Sequence, residues 1–592
     1  MDAQGKTTIN QDPEEEFSFK KLFVPLTSLK AIHWIVFIGI VVYANMLFNG
    51  FVLDDIVFIL ANIGIHHFNF WYLIGGTNNL FSNFGQYRPI SALYFSVLYS
   101  LFNTTSFFYH FLQLLIHIVN ALLLWILFRK FFSRYISLFI TLVFLIHPIQ
   151  VESVSYIATS DNPLFFLFGM TALLLSTSES INIKRISIIS GLVLLSIFSK
   201  EAGVLFIIII LVYRYLFCKN RKILPISIGL FASVLFYCWV RFGLEHAAVT
   251  NIDFNIVPLA TMSLPGRLMS GPEITLFYLK TFFFPLNLSL PQVWAISHVS
   301  ISQFYIPLII DFLFFLLIIL LGIRILNSDR KNFTVFTFFT VWFIIGMGIN
   351  LQIFPLDGTV ADKWFYFPIV GLLGLIGLCV RYIKIFPQNL VKNSYLIAIA
   401  LLILLSLRTI VRNADWANED TLYNHSVAVS DDYVQEWYFG VNYQTMGQYP
   451  QALSHYLKAA SLYPSELTLC SVGDVYLRMG ELKKTQYYCA LGLHSRLNNS
   501  QKHEEKTFSD IAQASILLGD FKEAKTVLTD GIKEYPQFGD LWAMMAITKY
   551  QLGLRTDALN DAAKSKSLGS ILITNNIYNQ IKYKLPLKLS SD

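Results

Sequence analysis

The feature that most constrains this chain is a succession of long apolar runs. They fall at about 31–49, 107–128, 136–147, 163–178, 187–199, 203–217, 223–242, 304–323, 333–354, 363–380 and 393–411. A helix rises about 1.5 Å per residue, and a bilayer core is about 30 Å thick. Runs of this length therefore cross a membrane or nearly do, the shorter ones borrowing flanking residues. Only 14% of the 592 residues are charged, against about 25% in a soluble domain. The expected fold class is all-α: a polytopic membrane bundle of about 11 transmembrane helices, followed by a soluble remainder. The first thirty residues are polar and acidic (Asp12-Pro13-Glu14-Glu15-Glu16) and fit no cleavable signal, so the first span is expected to stay as an anchor.

Basic residues decide orientation. Arg129, Lys130 and Arg134 share one loop, and Lys184 and Arg185 the next on that side. Then come Lys219, Arg221 and Lys222; Arg324, Arg330 and Lys331; and Arg381, Lys384 and Lys392. Every second loop is basic and is expected on the cytoplasmic side, which accounts for the net charge of +6 without any nucleic-acid partner. With the N-terminus inside, eleven spans put the C-terminal part outside. The segment 275–290, with Lys280 and Pro285, reads as re-entrant or interfacial; if it spans, the C-terminal part changes sides. The five cysteines show no ligand spacing and no disulfide framework, and only Cys470 and Cys489, both in the soluble part, are left as a conceivable pair.

Past Arg412 hydrophobicity drops and a repeat appears. Gly447, Gly480, Gly519 and Gly553 recur at intervals of 33, 39 and 34 residues, each followed five residues later by Ala452, Thr485, Ala524 or Ala558. The clearest unit reads Trp437, Gly440, Tyr443, Gly447, Tyr449, Ala452, Tyr456, Ala459, Pro464. This is the tetratricopeptide pattern, two antiparallel helices per repeat, stacking into an α-solenoid whose groove takes an extended peptide. The expected domains are a cytoplasmic tail 1–30, a membrane domain 31–411, a linker 412–432, about four repeats over 433–570 and a tail 571–592.

Acids and bases gather in the alternate, base-poor loops. Asp54 and Asp55 follow the first span. Two adjacent carboxylates repel and cost desolvation energy, which suits a proton-accepting task. Arg88 closes that loop. His117 lies on a polar stripe with His110, Gln113 and Asn120. His147 and Glu152 open the next outside loop, which ends at Asp161; Lys200 and Glu201, then Arg267 and Lys280, then Asp362 and Lys363 follow. Singly each has an ordinary reading, as a core histidine, a local ion pair or a cation snorkelling to headgroups.

The ordered motifs resemble the transmembrane and tetratricopeptide repeat-containing O-mannosyltransferases, GT-C class glycosyltransferases. The matching stretches are Phe51-Val52-Leu53-Asp54-Asp55; Tyr87-Arg88-Pro89 with His110 and His117; His147-Pro148-Ile149-Gln150-Val151-Glu152-Ser153-Val154; and Lys200-Glu201. Arg267 with Phe284-Pro285-Leu286-Asn287-Leu288, then Asp362-Lys363-Trp364-Phe365-Tyr366, then Arg412-Asn413-Ala414-Asp415-Trp416 complete the order. Ser160 departs from an arginine common in that family, and Asp362-Lys363 from a Glu-Arg pair. The resemblance implies transfer of a sugar, mannose in that family, from a polyprenyl or dolichyl phosphate carrier to Ser/Thr hydroxyls of proteins on the extracytoplasmic side. Asp55 is then the expected base, with Asp54 second and Glu152 also in the catalytic set. Lys200, Arg88, Arg267 and Lys363 are expected to hold the donor phosphate, and Asp161, Glu201, His147 and His117 the sugar or acceptor. A single in-line displacement inverts the anomeric centre. No metal is favoured, although Asp54, Asp55 and Glu152 form a conceivable Mg²⁺ or Mn²⁺ set. The expected partners are the lipid-linked sugar donor, a protein or peptide acceptor on the repeats, and membrane lipids. A bacterial inner membrane is favoured, with the endoplasmic reticulum as alternative. Rival readings are a lipid or glycan glycosyltransferase of the same class, a transporter or flippase, and a scaffold carrying repeats.

Overall fold

The computed structural model describes residues 26–68, 87–244, 257–296, 299–382, 388–495, 504–572 and 575–583. The acidic N-terminal tail and much of the first outside loop lie outside them. Among the described residues the structure is helical, apart from one isolated antiparallel bridge between Gln292 and Val360. Two compact units emerge. The first takes 1–247, 316–346 and 365–417; the second takes 248–315, 347–364 and 418–592. Two stretches assigned by sequence to the membrane domain, 248–315 and 347–364, thus group with the repeats.

The chain is a multi-pass membrane protein. Seven described helices are long and apolar enough to cross: Ser28–Phe48, Ser106–Phe128, Ile157–Ser176, Ile223–Gly243, Ile301–Ser328, Arg330–Gly348 and Tyr395–Asp415. An eighth arises if Arg134–Ile146 and Pro148–Ser155, bent by 48° at His147, count as one span. The other expected runs form the helices Ile183–Ser199, Leu205–Phe217 and Pro368–Tyr382, which at 13 to 17 residues are shorter than a bilayer core. The segment that reads as re-entrant contains the helix Gly271–Phe283, whose 13 residues, about 20 Å, are too few to cross.

A polar clasp ties the first unit together. The Asn413 amide donates to the Val42 carbonyl (3.1 Å) and to Asn45 Oδ1 (3.2 Å), while its oxygen accepts from Ser155 Oγ (2.9 Å). Asn45 donates to the Ile410 carbonyl and Asn49 to that of Asn413, both at 2.9 Å. In hydrocarbon such groups must be satisfied within the protein, so the partners are fixed in register. The motif Arg412-Asn413-Ala414-Asp415-Trp416, expected in a linker, in fact caps a helix running to Asp415. Trp416 stacks on Tyr156 with ring centroids 5.1 Å apart.

In the second unit the repeats follow the glycine spacing. Gly447, Gly480, Gly519 and Gly553 sit at φ between +72° and +79°, the left-handed turn joining the helices of each pair, where a side chain would be strained. Ala452, Thr485, Ala524 and Ala558 are all fully buried; the Thr485 hydroxyl is accommodated by donating to the Gly473 carbonyl at 3.1 Å. The stretch ahead of the repeats is stitched to them. Asp432 caps the helix Tyr433–Thr445 and accepts the Val293 N–H, and Gln435 donates to the Leu290 carbonyl. Gly440 faces the Tyr456 ring so closely that a Cβ there would lie 2.4 Å from it. Gly440→Ala is therefore expected to destabilise the protein by about 1–3 kcal/mol despite alanine's better helix propensity. A melting temperature in detergent equal to or above that of the parent would contradict this.

Candidate functional site

The segment Phe51–Asp55 is shaped by an unusual backbone. Leu53 has φ = +52°, a region that a bulky residue enters only when its surroundings impose it. What imposes it is Asp55. Its side chain is fully buried; Oδ2 accepts the Val52 N–H at 3.0 Å and Oδ1 the Ala158 N–H at 2.6 Å. Burial pushes the Asp55 carboxyl well above the usual carboxylate range; the N–H groups of Val52 and Ala158 pull the other way, and the neighbouring Asp54 charge adds to the rise. The expected order of the two acids is thus reversed in accessibility. Asp55 is a pin, closed to substrate, and Asp54 is the exposed carboxylate. Asp54 is held by Tyr156, whose hydroxyl accepts the Asp54 N–H at 3.0 Å and hydrogen-bonds its carboxylate.

One turn beyond Ala158 stands Asp161, so the pin on Asp55 and the acid at 161 belong to the same short stretch. Asp161 Oδ2 accepts from Arg88 (2.8 Å) and from Lys200 Nζ (3.1 Å). Arg88 Nε reaches Glu201 at 3.0 Å, Arg241 reaches the other Glu201 oxygen at 3.2 Å, and Lys200 also donates to Asn162 Oδ1 at 2.8 Å. Withdrawal from water raises the Glu201 carboxyl, but Arg88 and Arg241 outweigh that and hold it below its ordinary range. Arg88, Lys200 and Arg241 thus gather around the two carboxylates of Asp161 and Glu201. The arginines, on both sides of Glu201, are 18% and 7% exposed. A partly dry, cation-rich cluster of this kind suits a singly charged phosphate.

Sequence reasoning missed Arg241, Tyr156 and Asn162. Arg241 was legible as an ionisable residue closing an apolar span, an expensive placement that ordinarily marks function. Other expected site residues serve the scaffold. His117 is fully buried: its Nε2 donates to the Leu145 carbonyl (3.0 Å), and its Nδ1 accepts from the Tyr366 hydroxyl (2.8 Å). That assignment follows from the carbonyl, which can only accept. His147 Nδ1 accepts the Ile149 N–H and caps the turn at the helix bend. Glu152 is 1% exposed, inside the helix Val151–Ser155. Arg267 and Lys363 belong to the second unit. There Arg267 donates to the carbonyls of Gln352, Met262 and Ile353 at 2.8–3.0 Å and so organises that loop. Lys363 lies half-buried on the turn Asp362–Phe365.

Curated relatives bear on this geometry. The human protein O-mannosyl-transferase TMTC3 is 24% identical over 80% of this chain and 56% of its own length. The Caenorhabditis elegans protein O-mannosyl-transferase F38B6.6 is 25% identical over 66% of this chain and 56% of its own.

The chain is similar to the protein O-mannosyl-transferases.

That is the resemblance its ordered motifs carry, and it extends through most of the sequence. The chain spans about half the length of these relatives. No family model matches it. Among solved structures, the tetratricopeptide protein YrrB shares 16% identity over 27% of this chain and 83% of that one, with a TM-score of 0.24. The Archaeoglobus fulgidus oligosaccharyltransferase shares 13% over 70% and 57%, with a TM-score of 0.34. Both superpositions are too loose to bear on the site.

The two neighbouring acids are expected to respond oppositely to neutralisation. Asp55→Asn puts an amide NH₂ against one of two backbone donors and should destabilise by about 1–3 kcal/mol. Asp54→Asn should melt with the parent protein. Equal melting of all three in detergent would contradict the pin.

Proposed function

We propose that this protein transfers a sugar, mannose by its likeness to its relatives, from a polyprenyl- or dolichyl-phosphate carrier to Ser/Thr hydroxyls of proteins on the extracytoplasmic side of a membrane. The observation that supports the reading is that the turn 156–162 borders both an exposed carboxylate and a cation cluster: Tyr156 holds Asp54, and Asp161 pairs with Arg88 and Lys200. Asp54 is the base in this reading. A hydroxyl is a weak nucleophile, and a carboxylate within hydrogen-bond reach takes its proton as oxygen attacks the anomeric carbon. The bond to the carrier phosphate breaks, and the departing phosphate gains negative charge. Arg88, Lys200 and Arg241 stabilise that charge without having to supply a proton. Asp161, Glu201 and Asn162 hold these cations in place, and Asp161 and Glu201 offer acceptors to sugar hydroxyls. A single displacement inverts the anomeric centre. The lipid tail remains in hydrocarbon while the headgroup reaches the site, which is why such a reaction belongs on a membrane protein.

The repeats supply the protein acceptor in this proposal, an extended segment lying along the groove formed by the first helix of each pair. A bacterial inner membrane remains the favoured location, with the endoplasmic reticulum as alternative. Purified protein in lipid nanodiscs, given polyprenyl-phosphate mannose and an unfolded acceptor protein, is expected to yield acceptor heavier by one hexose per site. Asp54→Asn should cut the rate at least 100-fold with donor binding retained. Arg241→Gln and Lys200→Gln should weaken donor binding. A fully active Asp54→Asn enzyme, or mannose appearing on lipid alone, would overturn the proposal.

A further inference from the structure

In the second repeat, Cys470 on the helix Glu466–Arg478 faces Cys489 on the helix Leu482–His494. Both side chains are buried, at 5% and 0% exposure, and their sulfurs lie 2.6 Å apart. The two thiols thus face each other directly across the helix pair. Two independent features show that the pair is accommodated as a pair. Gly473, one turn after Cys470, clears the path: a Cβ there would lie 2.4 Å from Cys489 Sγ. The equivalent positions of the first repeat, 33 residues earlier at the glycine spacing, are Trp437 and Tyr456, two aromatics in one hydrophobic cluster. Both have become cysteine together. A carboxylate oxygen of Asp510 stands 3.7 Å from Cys470 Sγ, which raises the alternative of a metal. A tetrahedral zinc with sulfur at about 2.3 Å would hold two thiolates roughly 3.8 Å apart, well beyond the observed separation.

We propose that Cys470 and Cys489 form a disulfide that staples the two helices of the second repeat in the native membrane. The inference rests on the extracytoplasmic placement of the repeats, since such bonds persist in oxidising compartments. One cysteine thiolate attacks a protein or small-molecule disulfide, releasing one thiolate of that oxidant; the second cysteine then attacks the mixed disulfide and releases the other. Two protons and two electrons leave the pair, and the oxidant is reduced to two thiols.

The test uses the full-length protein in its own membranes. Free thiols are blocked with N-ethylmaleimide at lysis, and a non-reducing digest is read by mass spectrometry. A cross-linked peptide containing Cys470 and Cys489 is expected, lost on reduction, with a melting temperature several degrees lower in dithiothreitol. Protease protection in sealed vesicles reports the side of the repeats separately. Blocked thiols at both positions in extracytoplasmic repeats would overturn the disulfide. Repeats found on the cytoplasmic side would overturn the sidedness alone; oxidised glutathione added to the purified protein then decides the pairing, and failure to bridge refutes it. Stoichiometric zinc with both sulfurs reduced would also refute it.

Discussion

The site depends on a buried carboxylate. Asp55 accepts backbone N–H groups from Val52 on its own loop and from Ala158 on the opposing turn. Two such hydrogen bonds, at about 0.5–1.5 kcal/mol each, offset the left-handed conformation of Leu53, which costs about 1–3 kcal/mol. Without this pin the loop after the first span would have no fixed relation to the turn that carries Asp161. With it, the adjacent Asp54 is turned outwards against Tyr156, and Tyr156 in turn rests on Trp416 from the end of the last long helix. First span, central turn and final helix meet at this point.

Two like residues side by side therefore do opposite work. Burial and backbone donors make Asp55 a structural element, while exposure leaves Asp54 available to a substrate. The same division runs through the cations. Arg88, Lys200 and Arg241 gather around two carboxylates, whereas Arg267 donates to three backbone carbonyls. Arg412 is equally committed, paired with Asp415 and lying over the Trp416 ring.

Much of this was readable from the sequence. Apolar runs locate the long helices, and glycine spacing locates the repeat turns, because each depends on local geometry: the length of a spanning helix in one case, a positive φ in the other. Asp161, Lys200, Glu201 and Arg88 came to notice as charges in an apolar chain, and they do converge. The roles of Asp54 and Asp55 were not readable, since which of the two faces outwards is set by the backbone of Leu53 and by Ala158 about a hundred residues away. His117 enters the expected site only through the family resemblance, and Leu145 and Tyr366 satisfy both its nitrogens. Arg241 was overlooked because it sits at the end of a run that is otherwise apolar. The expected runs at 187–199, 203–217 and 363–380 fold into described helices of 13 to 17 residues, shorter than a bilayer core.

The measurement that bears most directly on this account is an experimental structure with a non-transferable polyprenyl-phosphate sugar analogue bound. The account predicts the phosphate oxygens within hydrogen-bond distance of Arg88, Lys200 or Arg241, with the sugar's anomeric carbon facing Asp54 and Asp55 still closed over by Val52 and Ala158. A phosphate seated away from those three cations, or a sugar approached by Asp55 with its backbone contacts released, would contradict it.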